Sequence, residues 1–319
     1  MVEIVLLEKD TLSVGDMDFT QFEKIGKVKY YDTLKGDELI KAVENAEIVL
    51  INKTVFYKQL FSACKRLKYI GIFATGYNNV DLEEANLRGV TVCNAPSYST
   101  KSVAQLTMTY ILELSSNLSK YNRSTHEGKW IESSTFSYFP YKFSELDGKT
   151  LGIFGMGTIG KEVAKMGMAF GLKIIAYSRT PKNIDGVTFV ERDELFKKSD
   201  FLSVHCPLTP DTKLLVNERT LSLMKPTAFL INTSRGGVID ENALANSLKS
   251  GKISGAAVDV LTKEPMAKDC PLLGIDNCII TPHIAWTTVE ARKRLLEIVC
   301  QNLQAFLEGK PQNCVNKKV

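Results

Sequence analysis

The tightest constraint on the fold is one continuous stretch. Thr150-Leu-Gly-Ile-Phe154 runs directly into Gly155-Met-Gly157-Thr-Ile-Gly160, and residues 161–170 follow with helical character. Ile159, Val163, Met166 and Phe170 keep an apolar stripe at helical spacing. Glycines in this pattern recur in turns by chance, and a purely structural turn is the alternative reading. The strand before and the helix after supply the context a dinucleotide loop needs. In such a loop Gly155 allows the tight turn, Gly157 lets the backbone approach a pyrophosphate, and Gly160 permits close helix–sheet packing. The phosphates then sit at the helix N-terminus, where N–H groups and the helix dipole favour anions.

The rest of the chain agrees with an α/β architecture. Strand-like runs at 3–7, 47–52, 69–73 and 91–93 alternate with helical ones at 37–45 and 81–88. A second series of strands is predicted at 150–154, 173–177, 201–205, 228–232, 255–260 and 278–281. This alternation predicts βαβ units and parallel sheets. A longer helix is expected at 99–116, with Val103, Leu106, Tyr110, Leu112 and Leu114 supplying its apolar character. The last helix, about 289–308, stops at Gly309 and Pro311. Between 117 and 147 lies a polar stretch with Trp130, Phe136, Tyr138, Phe139 and Tyr141, too long for an ordinary connection. Its aromatics need a surface to pack against, either on a second subunit or within the same chain.

A length of 319 residues suggests about two domains. The 40 Lys and Arg against 36 Asp and Glu leave a net charge of only +4, which argues against a nucleic-acid partner. No apolar run approaches the roughly 18 residues that span a bilayer. The N-terminal residues are too few and too acidic for a signal peptide and read as a first strand. Seven cysteines contain no CxxC pair. Cys64, Cys93, Cys206, Cys278 and Cys300 sit among apolar neighbours, which predicts buried thiols and a cytoplasmic protein.

Three segments place a charged or titratable residue after a strand. These are Asn232-Thr-Ser-Arg235-Gly-Gly, Asp259-Val-Leu-Thr-Lys-Glu264-Pro and Thr281-Pro-His283-Ile-Ala-Trp286. Taken singly, each is an ordinary loop charge. Downstream of a dinucleotide loop they offer the services that hydride transfer to a 2-keto acid requires. Arg235 can hold a carboxylate and a keto oxygen with its planar fork. His283 can exchange a proton. Glu264 beside it would stabilise the imidazolium form. His205 reads as structural and His126 as solvated. The strand ending at Tyr177 is followed by Ser178-Arg179-Thr180, where an NAD-binding fold usually carries an acidic residue for the ribose 2′-OH. No carboxylate is there to repel a 2′-phosphate, and a guanidinium is there to bind it, so NADP is favoured over NAD. Stacking of Arg179 on adenine is the alternative, and it suits either cofactor.

At these residues the chain resembles the D-2-hydroxyacid dehydrogenase family over nearly its whole length. The motifs are 155–160, His205-Cys-Pro-Leu-Thr209, 232–238, 259–265 and 281–284. The resemblance implies two doubly wound parallel-sheet domains, a Rossmann cofactor domain at 99–287 and a flavodoxin-like substrate domain at 1–98 and 288–319. It places the catalytic Arg, Glu and acid/base His on Arg235, Glu264 and His283. It implies cofactor contacts at Gly155, Gly157, Thr158, Ile159, Gly160, Ser178, Arg179, Thr180, Cys206, Pro207, Thr212, Thr233, Arg235, Asp259 and His283, with Asp259 on the nicotinamide carboxamide. It places the carboxylate-gripping substrate loop on Thr75 and Gly76. Lys53 and Trp286 are further substrate candidates beside Arg235 and His283. For Lys53 a surface position is an equal alternative, and for Trp286 packing behind the pocket. No metal is implied. The partners implied are a small 2-keto or 2-hydroxy acid and a second copy of the chain, joined through the 99–147 region.

Within the family the likeness is to glycerate dehydrogenases, also called hydroxypyruvate reductases. It rests on 74–81, 96–105, His283-Ile-Ala-Trp286 and Gly309-Lys-Pro-Gln-Asn313. The expected reaction is reduction of hydroxypyruvate or glyoxylate to the D-hydroxy acid. Phosphoglycerate dehydrogenase is an alternative, although the chain ends at Val319 without a regulatory extension and extra cations for a phosphate are not evident. Aromatic keto acids and phosphite are other substrates to consider. A dinucleotide-sensing binding protein of the corepressor type is the alternative from a different class.

Overall fold

The computed structural model describes residues 2–181 and 183–316. The chain divides into two compact units, one holding residues up to Ser99 together with those from Thr287, the other Thr100–Trp286.

The first unit is a five-stranded parallel sheet of β1 (Val2–Leu6), β2 (Gly26–Tyr30), β3 (Ile48–Ile51), β4 (Tyr69–Ile72) and β5 (Thr91–Cys93), in the order β2-β1-β3-β4-β5. That is the flavodoxin-like order. β3 and β4 read IVLI and YIGI and are buried at every position, as expected of strands covered on both faces. The edge strand β2 was not expected from the sequence. It reads GKVKY, its lysines point outward, and its burial alternates. The last helix, Val289–Leu307, also belongs to this unit and packs against β4. Its first turn is capped by the Thr288 hydroxyl, which accepts from the Ala291 N–H.

The second unit is a seven-stranded parallel sheet of β6 (Thr150–Phe154), β7 (Lys173–Tyr177), β8 (Val187–Phe189), β9 (Phe201–Val204), β10 (Phe229–Asn232), β11 (Gly255–Val258) and β12 (Cys278–Ile280). The order β12-β11-β10-β9-β6-β7-β8 is the Rossmann order with one strand added at the far edge. The three-residue edge strand β8 is too short to announce itself in sequence. The chain reverses its direction of growth beside β6, and the glycine loop leaves that strand. The helix Thr100–Ser116 packs on the helix Thr158–Ala169. Its buried face is Val103, Ala104, Thr107, Met108, Tyr110 and Ile111, whereas the expected Leu112 is exposed. The 3.6-residue period selects 103, 107 and 110 and turns 112 outward.

The 117–147 stretch contains an unexpected helix, Leu118–His126. Beyond it the aromatics are largely exposed: Phe136 is 93% accessible, Phe139 78% and Phe143 73%. Among the cysteines, Cys64, Cys93, Cys206 and Cys300 are buried as expected, Cys278 is half-buried, and Cys314 is exposed. No helix among the described residues is long and apolar enough to cross a membrane.

Candidate active site

Every candidate group in the second unit stands where its sheet's parallel strands end. After β6, Gly155 takes φ +103° and lies so close to the next loop that a Cβ would meet the His205 carbonyl oxygen at 2.8 Å. A Cβ on Gly160 would meet the Gly155 oxygen at 2.2 Å, so the helix can approach the strand only with glycine there. Gly157 differs: a Cβ on it meets nothing within 4 Å, and no side chain caps the helix that it begins. The open face of Gly157 and the uncapped N–H groups of Thr158–Ala169 fit a pyrophosphate. After β7, Ser178 is half-buried, and Arg179 and Thr180 are exposed.

His205 follows β9 and binds Ser203 Oγ through Nε2 at 2.8 Å. Burial pushes its pKa down to about 4, which keeps the ring neutral. Next to it, burial pushes the Cys206 thiol up to about 11. The Thr212 hydroxyl donates to the Pro207 carbonyl at 2.6 Å and accepts from the Thr209 N–H at 2.8 Å. Thr212 therefore folds the 205–212 loop.

Asn232, fully buried at the end of β10, builds the Arg235 turn. Its Oδ1 accepts from Ser234 N and Oγ, and its amide donates to the Arg235 carbonyl at 3.0 Å. The Thr233 and Thr107 hydroxyls meet at 3.2 Å. Arg235 itself is exposed, with one guanidinium nitrogen on the Ser234 carbonyl at 2.7 Å. Gly236 lies flat against the next loop, and a Cβ there would fall 1.9 Å from the Leu261 carbonyl carbon. This close approach joins the Arg235 turn to the loop carrying Glu264.

Glu264 bridges two partners. Its Oε1 accepts from the Leu261 N–H at 2.9 Å, and its Oε2 lies 2.7 Å from His283 Nδ1. A carboxylate only accepts here, so Nδ1 carries the proton, and any proton exchange with a ligand would use Nε2. His283 adopts φ +55°, an uncommon conformation for a residue with a Cβ. Asp259, only 1% exposed, shapes that turn. Its Oδ1 accepts from Thr281 Oγ1 and from the Ile284 N–H at 2.8 Å, and its Oδ2 from the Ala285 N–H at 2.9 Å. Its carbonyl accepts from the His283 N–H at 2.9 Å. The Tyr110 hydroxyl bonds Thr281 in turn. Asp259 thus builds the His283 turn, a task that the resemblance did not assign to it. Trp286 is half-buried at the end of this segment.

In the first unit the candidates also follow strand ends. Thr75, after β4, donates its hydroxyl to the Ala95 carbonyl at 2.9 Å, and its own carbonyl accepts from the Asn94 amide at 2.7 Å. Gly76 beside it is half-buried. Lys53, after β3, is exposed, and its backbone is held by a residue that the sequence did not single out. Glu8, 4% exposed and at φ +60°, accepts the N–H groups of Asn52, Lys53 and Thr54 on one oxygen, each at 2.9 Å. From the other side Asn79 donates to the Asn52 and Thr54 carbonyls. Glu8 in a Glu-Lys-Asp run reads as a solvated charge. The sequence signal against that is its place directly after the apolar run Ile4-Val-Leu-Leu7.

No group of acidic, His and Cys side chains among the described residues is arranged to hold a metal ion.

Residues 108–285 match the family described as D-isomer specific 2-hydroxyacid dehydrogenase, NAD binding domain. A hydroxypyruvate reductase of Blautia hydrogenotrophica is 40% identical over 99% of this chain and 100% of its own length. A glycerate dehydrogenase of Methylorubrum extorquens is 36% identical over 98% of each chain. Among solved structures, an acyclic imino acid reductase in complex with NADPH and D-Arg aligns with a TM-score of 0.87 at 31% identity, covering 98% of this chain and 100% of that one.

Proposed function

This chain belongs to the D-isomer specific 2-hydroxyacid dehydrogenase family, and on that premise we propose that it reduces a small 2-keto acid, of the hydroxypyruvate or glyoxylate type, to the D-2-hydroxy acid. The observation that carries the reading is the 2.7 Å pair of His283 and Glu264, which follow strands of the same parallel sheet as Arg235 and the glycine loop.

In this reading the Arg235 fork binds the substrate carboxylate and steadies the keto oxygen. When bound, reduced nicotinamide supplies the hydride that C2 receives. His283 donates the Nε2 proton to the C2 oxygen as charge builds there. Glu264 acts through His283 by fixing the ring and stabilising imidazolium. Gly155, Gly157, Thr158, Ile159 and Gly160 hold the pyrophosphate, Ser178, Arg179 and Thr180 the adenosine ribose, and Cys206, Pro207, Thr212, Thr233 and Asp259 the nicotinamide end. The second unit is accordingly the cofactor domain. The first is the substrate domain, with Thr75, Gly76 and Lys53 as its candidate contacts, and Trp286 is a substrate candidate on the second. The Ser178-Arg179 pair favours NADPH over NADH.

The decisive experiment is a panel of keto acids with each reduced cofactor, followed by the loss of nicotinamide absorbance. Oxidation of NADPH by hydroxypyruvate or glyoxylate is expected, with higher kcat/KM than for NADH. A strong NADH preference would remove the Arg179 assignment. No oxidation with any acid would point instead to a dinucleotide-sensing role.

The exposed Phe136, Phe139 and Phe143 support a homodimer assembled through the 99–147 region. Sedimentation should give twice the chain mass, and Phe136→Asp with Phe139→Asp should give the monomer. The buried cysteine thiols favour a reducing cytoplasm.

A further inference from the structure

Cys93 closes β5 and is fully buried, whereas Cys314 lies near the other end of the sequence and is exposed. The two residues face each other in an isolated antiparallel bridge. The ladder bonds flank the pair: the Val315 N–H donates to the Val92 carbonyl at 2.9 Å, and the Asn94 N–H to the Asn313 carbonyl at 3.1 Å. Cys93 and Cys314 therefore form a non-hydrogen-bonded pair, the antiparallel position where Cα atoms come within about 4.5 Å and side chains lie closest. A disulfide requires a Cα separation of about 4.4–6.8 Å. The two Sγ atoms lie 3.5 Å apart.

The backbone on both sides is held in place. The Asn302 amide donates to the Asn94 carbonyl at 2.8 Å, and the Asn313 amide to Asn302 Oδ1 at 2.8 Å. Asn316 accepts from the Val92 N–H at 2.9 Å and donates to the Val90 carbonyl at 2.8 Å. Gly71, the ladder partner of Cys93, leaves room for the Tyr69 ring, which lies 3.0 Å from where a Cβ would stand.

We propose that Cys93 and Cys314 are an oxidation site, closed to an intramolecular disulfide by hydrogen peroxide and reopened by a dithiol. The Cys314 thiolate attacks one peroxide oxygen, the O–O bond breaks, and the departing hydroxide takes a proton to become water. Cys314 is left as a sulfenic acid. The Cys93 sulfur then gives up its proton, attacks the Cys314 sulfur and expels the hydroxyl as a second water. The two thiols lose two electrons and the peroxide gains them. The buried partner intercepts the sulfenic acid before a second peroxide can.

The cross-link pins the C-terminal segment to β5 immediately before Asn94 and Ala95, the residues that brace Thr75. The importance of that brace to substrate binding rests on the function proposed above, but the cross-link itself is read by mass and stands or falls separately. Purified protein is treated with peroxide and digested without reduction. The expected product is a peptide pair joining Cys93 to Cys314, two hydrogens lighter than the separate peptides, reverting with dithiothreitol and absent in Cys314→Ser. Exchange of the Asn94 and Val315 amide hydrogens should slow in the oxidised wild type and stay unchanged in Cys314→Ser. Stepwise oxidation of Cys314 to sulfinic acid with Cys93 untouched would overturn the proposal. So would a Cys314–Cys314 link between chains.

Discussion

Glu8 in the first unit and Asp259 in the second are both buried carboxylates that hold the loop beyond a neighbouring strand. Glu8 gathers three backbone N–H groups on one oxygen, and the Asn79 amide and the bond from the Asn52 amide to the Thr11 hydroxyl add to that grip. Asp259 divides its bonds between two oxygens and adds the Thr281 hydroxyl, which Tyr110 holds from behind. The loop held by Glu8 carries Lys53, a candidate for substrate charge. The loop held by Asp259 carries His283, the candidate acid. The carboxylate that divides its bonds over two oxygens holds the loop of the proposed acid, and proton transfer tolerates far less misplacement than charge attraction does.

The comparison can be broken in four ways. The largest effect is expected from His283→Gln, which should lower kcat for keto-acid reduction by about 10²–10⁴-fold while leaving dinucleotide affinity nearly intact in a fluorescence titration. Next comes Asp259→Ala. It strands two N–H groups and a hydroxyl, each worth about 1–3 kcal/mol, so thermal denaturation should show a lower Tm and assays a lower kcat. Unchanged stability would mean that the turn does not depend on this carboxylate. Glu8→Gln should mainly raise KM for the keto acid by severalfold, because a neutral amide oxygen holds the three N–H groups more weakly than a carboxylate does. Little change in kcat is expected, and Lys53→Met should move the same parameter. A fall in kcat with KM unchanged would reverse the roles assigned to the two carboxylates. The smallest effect concerns His205. Its pKa is lowered in the fold, so the unfolded chain takes up a proton first on acidification, and stability falls as pH drops from the ordinary histidine range toward about 4. His205→Gln should flatten the decline of Tm over that window.

The sequence made some of this legible and hid the rest for physical reasons. Arg235, Glu264 and His283 stand out because each follows an apolar strand, and parallel strands in one sheet deliver their ends to one side. The glycine loop is legible because Gly155 and Gly160 are required by backbone contacts that no side chain can satisfy. Glu8 is hidden because its burial is a tertiary fact, created when β3 pairs beside β1. The Cys93–Cys314 pair spans 221 residues and joins only when the C-terminal segment adds to β5. The strand β2 escapes because Lys27 and Lys29 break its apolar run at an exposed edge. The helix Leu118–His126 escapes because only Ser124 of its residues is buried, which leaves no apolar stripe to follow.

The central claim is that the groups gathered on the second sheet direct hydride to C2 of a keto acid and a proton to its oxygen. Incubating the enzyme with NADPH deuterated at the transferring position and hydroxypyruvate tests it directly. The account predicts D-glycerate carrying the deuterium at C2, formed in step with cofactor oxidation. An L product, or cofactor oxidation with no deuterium at C2, would contradict it.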